Sequence, residues 1–459
     1  MIIRNAIFAA LMGGTMLAAP LGAVTARAQN SDALQAEIAA LKAKLAELEA
    51  RVAKTEEKAD KNELKVEAKG APRFSGKGFS HFKVRGRVQS DFGIVGDPQK
   101  IGTGTNAADF SPDHGLGTTT EFRRARLGVE GEISKWKYKF EADFANNEVD
   151  VTDAYVEYKG FKGIGITLGN QKTPVSMNEQ TSSRFITFME RAAFTDAFGF
   201  SRELGASVNF HGKNWHWKSG IYSNGGFSGN DEKKGIILAS RGHYTMPIAN
   251  GFVHLGGSVE YRDEGAAHTR LRQRPFLHTT DTRFVNTGKM PVDNSVFYGL
   301  ELAAEQGPVS FEGEFGAKRS KFTAPIMPGA ANHASFQGGY ATLGWFLTGE
   351  RKAYKSSKGA FDRTKPLHPV GKGGWGALQL NGGIDWVDLT DHKADVAGGN
   401  QYTLNLGLTW IPISHVRFLV NYAHLKVEGS PDRVKLLKTG ATTPNFSTNV
   451  FGVRGQVDW

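Results

Sequence analysis

Residues 82–89, Phe-Lys-Val-Arg-Gly-Arg-Val-Gln, alternate small or apolar side chains with charged or polar ones. Successive side chains of a β-strand point to opposite faces of the sheet, so this two-residue period predicts a strand with one apolar and one polar face. The same period recurs at 136–144, 154–158, 204–210, 253–261 and 402–410. The pattern therefore predicts an all-β protein from Phe79 to Trp459.

About sixteen such segments follow one another, an even number within the range of bacterial outer-membrane barrels. They begin near residues 79, 121, 136, 150, 163, 201, 214, 233, 251, 294, 308, 333, 373, 399, 414 and 447. The sequence thus predicts a transmembrane antiparallel β-barrel, because only the lipid-facing side of each strand then needs to be apolar. The alternation continues to the terminal aromatic residue Trp459, whereas a soluble domain more often ends in a polar tail.

The connections between these segments are mostly short and long in turn. Tight turns are expected near 133–136, 160–163, 211–214, 247–251, 307–308 and 411–414, and long loops at 97–120, 172–200, 263–293, 322–332 and 428–446. Short periplasmic turns and long extracellular loops produce this asymmetry. Two connections depart from it, because the outer one at 146–150 is short and the periplasmic one at 350–372 is long.

The first 28 residues have the features of an export signal. Arg4 precedes an apolar run from Ala6 to Ala19, and Ala26-Arg27-Ala28 fits the small-residue cleavage rule. That run is too short to anchor the chain, and no later stretch approaches the ~18 to 20 apolar residues of a transmembrane helix. We expect residues 1–28 to be removed during export to the envelope of a Gram-negative bacterium.

A heptad pattern follows the signal. The apolar residues of its a and d positions are Leu34, Ile38, Leu41, Leu45, Leu48 and Val52. Glu, Lys and Ala fill most of the remaining positions, which predicts a periplasmic coiled coil over 29–69. A Gly/Ser-rich linker is expected at 70–78, before the barrel at 79–459. A lone amphipathic helix lying on its own domain is the alternative, and the seam fades at Thr55 and Ala59.

The charge balance favours anionic solutes. The formal net charge is +10, and the positions of the charged residues assign +9 of it to residues 71–459. A positive field of this kind raises the local concentration of anions, although it says nothing about the fold. The chain has no cysteine, which rules out disulfides.

At this point the sequence resembles a known family, the phosphate-selective porins O and P. The matching stretches are 122–131, 139–144, 153–155, 167–169, 181–191, 347–351 and 374–377, so the resemblance covers most of residues 79–459. It implies a homotrimer of sixteen-stranded barrels, in which the third extracellular loop folds into each pore to form the constriction. That loop corresponds to residues 172–200 here.

The resemblance also implies an anion site. Ser182, Ser183 and Arg191 would belong to it, beside Arg184 of the Thr-Ser-Ser-Arg motif. From the wall, Arg124 and Arg123 would face them. Phosphate-selective members have a lysine shortly before the serine pair, where this chain has Glu179, so the resemblance does not extend to tight phosphate selectivity.

The two-residue period predicts lumen-facing charges without reference to the family. The basic residues with this phase on the first two strands are Lys83, Arg85, Arg87, Arg124 and Arg126. Rings of positive side chains offset the hydration that an anion loses in a narrow pore. The same phase also turns acidic residues inward, among them Glu130, Glu141, Asp153 and Glu157. The alternative is therefore a pore whose arginines are neutralised and which selects weakly.

The sequence predicts neither a metal site nor a cofactor. His211 and His216 face inward across one hairpin, but no third ligand has a fixed spacing to them. The glycine-rich stretch 371–374 lacks the following Lys-Ser/Thr of a phosphate loop. A lipid-hydrolysing barrel enzyme would need its histidines on the lipid-facing surface, whereas the period places them inside.

We therefore expect an outer-membrane porin that passes small anions, with phosphate or polyphosphate as candidates, and no catalysis. The expected partners are two further copies of the chain, outer-membrane lipid and lipopolysaccharide, the diffusing anions, and peptidoglycan through the coiled coil; nucleic acid is not among them. The alternatives are a non-selective general porin and a structural outer-membrane anchor whose coiled coil tethers the cell wall.

Overall fold

A computed structural model of the protein describes residues 29–62, 64–76, 78–100, 115–225, 235–265, 268–431 and 445–459. The predicted signal peptide, residues 1–28, lies outside these ranges. Two units are distinguished, residues 1–63 and residues 64–459.

The first unit contains helix α1, Gln29–Asn62. None of the described helices combines the length and the hydropathy needed to span a membrane. The helix ends before residue 69, where the coiled coil was expected to end, because Lys65–Lys69 is a strand.

The segment expected to be a linker is also structured. Ala71–Gly76 is a strand that pairs with Lys65–Lys69, and we call the pair the N-terminal hairpin. Its second strand pairs with the start of the first barrel strand, with Arg73 opposite Lys83 and Phe74 opposite Phe82. The prediction of a linker at 70–78 was therefore wrong: the chain finds backbone hydrogen-bond partners on the edge of that strand.

Sixteen antiparallel strands form the barrel. They are β1 Phe79–Val95, β2 Gly117–Ile133, β3 Trp136–Asp143, β4 Asp150–Tyr158, β5 Ile164–Lys172, β6 Arg202–His211, β7 Trp215–Ser223, β8 Ile236–Ile248, β9 Gly251–Asp263, β10 Val292–Gln306, β11 Val309–Phe322, β12 His333–Phe346, β13 Ala377–Asp391, β14 Val396–Ile413, β15 Val416–Glu428 and β16 Phe446–Asp458. Each pairs with the next, and β16 pairs with β1 to close the barrel. The predicted fold class and strand number are confirmed.

The two-residue period has the expected physical consequence. On β14, Leu404 and Leu406 are each 51% exposed on the outside, whereas Thr403 and Asn405, which alternate with them, are buried inside. The closed sheet satisfies the backbone hydrogen bonds, so the outer surface can be apolar while polar side chains face the interior. Part of the interior is nevertheless a buried hydrophobic cluster, to which Phe188, Phe194 and Phe276 belong.

The predicted alternation of short and long connections is confirmed at most positions. The exception at 350–372 has a structural explanation, because the connection between β12 and β13 folds back into the barrel. It forms a small hairpin from Tyr354–Lys355 and Ala360–Phe361. We call residues 347–376 the turn segment.

Two further connections pack inside the barrel. Residues 173–201, which we call the inner loop, contain the short helices α2, Met177–Gln180, and α3, Ala193–Ala197. The second connection, described at 264–265 and 268–291, places Phe276 against Phe188 of the inner loop, with ring centroids 5.8 Å apart. Phe194 stacks on Tyr340 of β12, and a Cβ on Gly338 would lie 2.7 Å from that phenylalanine's Cβ, so the strand needs glycine there.

Candidate functional site: a basic cavity beside the inner loop

Strands β1 to β8 line one side of a cavity of about 540 Å³, and the inner loop and turn segment line the other. Fifteen basic side chains but only three acidic ones contribute to its lining. The cavity also contains Ser182 and Ser183, the two serines singled out in the sequence.

Carboxylates of the opposite wall hold the inner loop in place. Glu314 of β11 accepts hydrogen bonds from the backbone N–H groups of Met177 and Asn178, at 2.9 and 2.6 Å. Both carboxylate oxygens of Asp385 on β13 accept from the N–H of Ala193, at 2.9 and 3.1 Å. Each acid satisfies the free donors at the start of a short helix, so the loop is fixed at two points.

The serine pair contacts arginines of the wall and of the loop. Arg87 donates to the Ser183 hydroxyl at 2.5 Å and to Glu141 at 3.1 Å. Arg184 donates to the Ser182 hydroxyl at 3.3 Å and forms an ion pair of 3.0 Å with Asp458. These contacts fix the rim of the cavity where the loop approaches β1.

Glu179 lies between two of the cavity's cations. Its two carboxylate oxygens are 2.8 Å from Lys172 Nζ and 3.0 Å from Arg191 Nε. Burial opposes its ionisation, but Arg191 and Lys172 nevertheless lower the pKa of Glu179 below its ordinary value. Glu179 therefore remains charged at neutral pH and offsets part of the positive field of the loop.

The wall arginines are paired in a similar way. Glu141 accepts from Arg87 and lies 3.3 Å from Arg126 and 3.4 Å from Arg85. Arg85 also contacts Glu130, and Arg126 forms a 2.7 Å ion pair with Asp143. This network spreads several positive charges around one buried carboxylate.

Asp153 on β4 also neutralises more than one cation. It pairs with Lys139 of β3 and, at 2.9 Å, with Arg202 of β6. Most cations lining the cavity therefore have a carboxylate partner. This is the neutralisation of the lumenal arginines that the sequence left open as an alternative.

Among the cavity-lining residues that the structure describes, four cations have no carboxylate within salt-bridge distance. They are Arg124, Lys218, Lys355 and Lys358. Arg124 donates to Gln89 at 2.9 Å, and Lys218 donates to Gln171 at 2.9 Å. Lys355 and Lys358 belong to the turn segment, so an inward-folded connection brings two charges into the cavity.

Two predicted site residues do not line this cavity. Arg123 sits at a β-bulge where Gln89 faces Arg124 and Ser90 faces Phe122, and it forms two 3.0 Å hydrogen bonds with Glu190. Lys83 lies near the start of β1, where the strand pairs with the N-terminal hairpin. The lining of this cavity does not include them, and their assignment to an anion site stays a prediction. The other predicted residues, Arg85, Arg87, Arg124, Arg126, Asp153, Ser182, Ser183, Arg184 and Arg191, lie together around the cavity.

Sequence reasoning missed several lining residues. Lys218 and Arg241 have the inward phase of β7 and β8, so the alternation could have identified them. No sequence signal identifies Lys355 or Lys358, since their position depends on the turn segment folding inward.

The histidines form a row on neighbouring strands. His211 lies opposite His216, whose ring centroid is 5.7 Å from that of His243, and His243 is 4.9 Å from His254. His243 also contacts the Ser356 carbonyl of the turn segment at 2.7 Å. Within the described part of the chain, no group of histidines and acids has the geometry to hold a metal ion.

The chain is similar in sequence to known proteins. The family model described as phosphate-selective porin O and P matches residues 82–459. A Caulobacter vibrioides relative, described as an uncharacterized protein, is 35% identical over 408 residues, which cover 86% of this chain and 77% of the relative. Porin O of Pseudomonas aeruginosa is 26% identical over 382 residues, covering 76% of this chain and 83% of that protein.

Among solved structures, an anion-selective porin from Comamonas acidovorans is similar with a TM-score of 0.49 at 11% identity. The match covers 82% of this chain and 99% of that one.

Proposed function

Because the chain belongs to the phosphate-selective porin O and P family, we propose that it is a passive channel for small anions. Family membership and the closed barrel make it an outer-membrane protein and point to a channel, not an enzyme. The selectivity, the preferred solutes and the assembly are the parts that we propose.

One observation carries the anion proposal. The cavity has fifteen basic lining residues against three acidic ones, and four of the basic residues have no carboxylate partner among the described residues. An anion entering a narrow pore loses hydration, and unpaired cations along its path replace that stabilisation. Arg124, Lys218, Lys355 and Lys358 are spread over two strands and the turn segment, which favours several moderate sites from which an anion can leave.

Phosphate and polyphosphate are the candidate solutes. Guanidinium groups offer paired donors that match phosphate oxygens, and Arg124 and Arg191 both line the cavity. Glu179 lowers the positive potential beside Arg191. We therefore propose a preference for phosphate that is weaker than a tight phosphate site would give.

The proposed assembly is a homotrimer in the outer membrane, with lipid and lipopolysaccharide around its apolar belt. The coiled coil would extend into the periplasm, with peptidoglycan as a candidate partner. Cleavage after residue 28 would produce the mature chain.

Reversal potentials in planar bilayers test the anion proposal. Under a potassium chloride gradient, anions should carry most of the current, and replacing chloride by phosphate on one side should give a finite phosphate permeability. Lys218→Gln, which removes an unpaired cavity charge, should lower the anion-to-cation permeability ratio. Lys83→Gln removes the same charge outside the cavity and should leave the ratio nearly unchanged.

The same measurement separates the alternatives. A current carried mainly by cations would contradict the anion proposal and leave the porin family intact. A reversal potential near zero would indicate the non-selective pore that the extensive ion pairing favours, and the absence of any conductance would indicate a structural anchor.

A further inference from the structure

Helix α1 presents an apolar seam with no partner inside its own chain among the residues described. Ile38, Leu41, Leu45, Leu48 and Val52 occupy successive a and d positions and are 45–61% exposed. Side chains of this kind on a charged helix favour burial against another helix. The charged residues beside the seam indicate which helix covers it.

The residues flanking the seam have alternating charge. The g positions before Ile38 and Leu45 are Glu37 and Lys44, and the following e positions are Lys42 and Glu49. In two parallel helices in register, each g residue lies beside the e residue five positions later in the partner. Glu37 then faces Lys42 of the second copy, and Lys44 faces Glu49, so both pairs attract.

The antiparallel arrangement is less complementary. It sets e residues against e residues and g against g, so full overlap of the seam places Lys42 beside Lys42 and Lys44 beside Lys44 of the partner, while Glu37 beside Arg51 is its attractive pair. Like charges at these flanking positions are unfavourable, and such contacts determine orientation in coiled coils. The charge pattern therefore discriminates between the two directions, which the apolar seam alone does not.

We propose that α1 binds the same helix of neighbouring copies in a parallel, in-register coiled coil, with Glu37 facing Lys42 and Lys44 facing Glu49 across each interface. The direction and register rest on the helix alone. The number of helices, three, rests on the proposed homotrimer, since Leu at d with Ile38 and Val52 at a would also suit two strands.

Cysteine cross-linking of the full-length protein tests direction and register, because the natural chain contains no cysteine. Under mild oxidation, Leu41→Cys should form a disulfide between copies, since equivalent d residues lie at the same height in a parallel in-register coil. Ala43→Cys places the thiol two residues away, on the opposite face at an f position. It should cross-link at least several-fold more slowly.

A charge-reversal series tests the pairing. In the Leu41→Cys background, Lys44→Glu sets two acids against each other and should reduce cross-linking. Adding Glu49→Lys restores opposite charges and should recover it. Equal rates for Leu41→Cys and Ala43→Cys, or a double reversal that fails to recover cross-linking, would overturn the proposal.

Conductance of the same variants separates this inference from the proposed function. A conducting protein without Leu41→Cys cross-linking contradicts the coiled coil alone. A cross-linked protein whose current is carried by cations contradicts the anion proposal alone.

Discussion

Individual side chains in the cavity differ chiefly in whether a carboxylate accompanies them. Arg191 and Lys172 share Glu179, whereas the hydrogen-bond partner of Arg124 among the described residues is the neutral Gln89. A charge with a nearby counter-charge contributes little to the potential that a passing ion experiences. The selectivity of the channel should therefore depend on a few unpaired groups and on the acids that neutralise the others.

Glu179→Gln should increase anion selectivity. The amide keeps the shape and hydrogen-bonding capacity of the side chain but removes the negative charge between Lys172 and Arg191. One charge within about 8 Å of an ion contributes on the order of 1 kcal/mol after screening, equivalent to several-fold in the anion-to-cation permeability ratio. Glu428→Gln, which removes an acid paired with Lys426 away from the cavity, is the control. Equal effects of both substitutions would refute a local role for Glu179.

Anion selectivity should fall as pH rises from about 7 to 9. Burial, together with Lys137 and Lys355, lowers the pKa of Lys358 to about 8. Lys358 is therefore charged below that pH and neutral above it. Lys358→Arg keeps its charge in this range and should flatten the pH profile of the reversal potential. A wild-type profile that is already flat would show that Lys358 does not contribute to selectivity.

At the scale of elements, the inner loop adopts its position through contacts that lie far apart in the sequence. Its two short helices begin at carboxylates of β11 and β13, and Phe194 of α3 packs against glycines of β11 and β12. Isolated helices of four or five residues are unstable in water. The wall therefore determines the structure of the loop.

Asp385→Ala should release one end of the inner loop. The Ala193 N–H would lose its acceptor, and an unsatisfied buried donor costs about 1 to 3 kcal/mol. We expect larger and noisier single-channel currents, because the start of α3 is no longer fixed. Asp388→Ala, on the same strand, removes a carboxylate that accepts from the Thr390 N–H and the Asn400 amide, and serves as the control. Unaltered currents in Asp385→Ala would show that the remaining contacts hold the loop without it.

At the scale of the whole molecule, the barrel is divided between a cavity and a packed side. Strands β1 to β8 line the cavity, while acids and glycines of β11 to β13 hold the inner loop. The barrel closes by pairing of its first strand, β1, with its last strand, β16, and Trp459 takes part in this pairing. Gly86 donates to the Trp459 carbonyl at 3.2 Å, and Trp459 donates back to the Gly86 carbonyl at 3.1 Å.

Trp459→Ala should weaken closure of the barrel. The indole covers Gly86 so closely that a Cβ there would lie 2.2 Å from the ring. Losing a half-buried aromatic side chain should cost about 2 kcal/mol and lower the thermal unfolding temperature in detergent. Trp375, which is 87% exposed, is the control, and Trp375→Ala should change that temperature little. A similar melting temperature for both variants would contradict a role for Trp459 in closure.

The sequence by itself determined the barrel. The two-residue period identified about sixteen strands, and every predicted start lies within four residues of the observed one, with the largest differences at β2 and β13. It also identified Arg85, Arg87 and Arg126 as inward-facing. Alternation along a strand is a local property, so it does not depend on which strands become neighbours. The heptad seam of α1 was also identified from the sequence, because it too is a local periodicity.

Only the tertiary structure decided how the interior is filled. The partners of Asp385 and Glu314 lie more than a hundred positions away in the sequence. The turn segment follows no periodic pattern, and its contact with His243 also joins residues more than a hundred positions apart. Its inward folding, and with it the lumenal positions of Lys355 and Lys358, could therefore not be predicted. The N-terminal hairpin likewise forms because β1 offers it an open edge. Local patterns specify which face a side chain occupies, but the pairing of charges and the routes of loops depend on which strands closure of the barrel brings together.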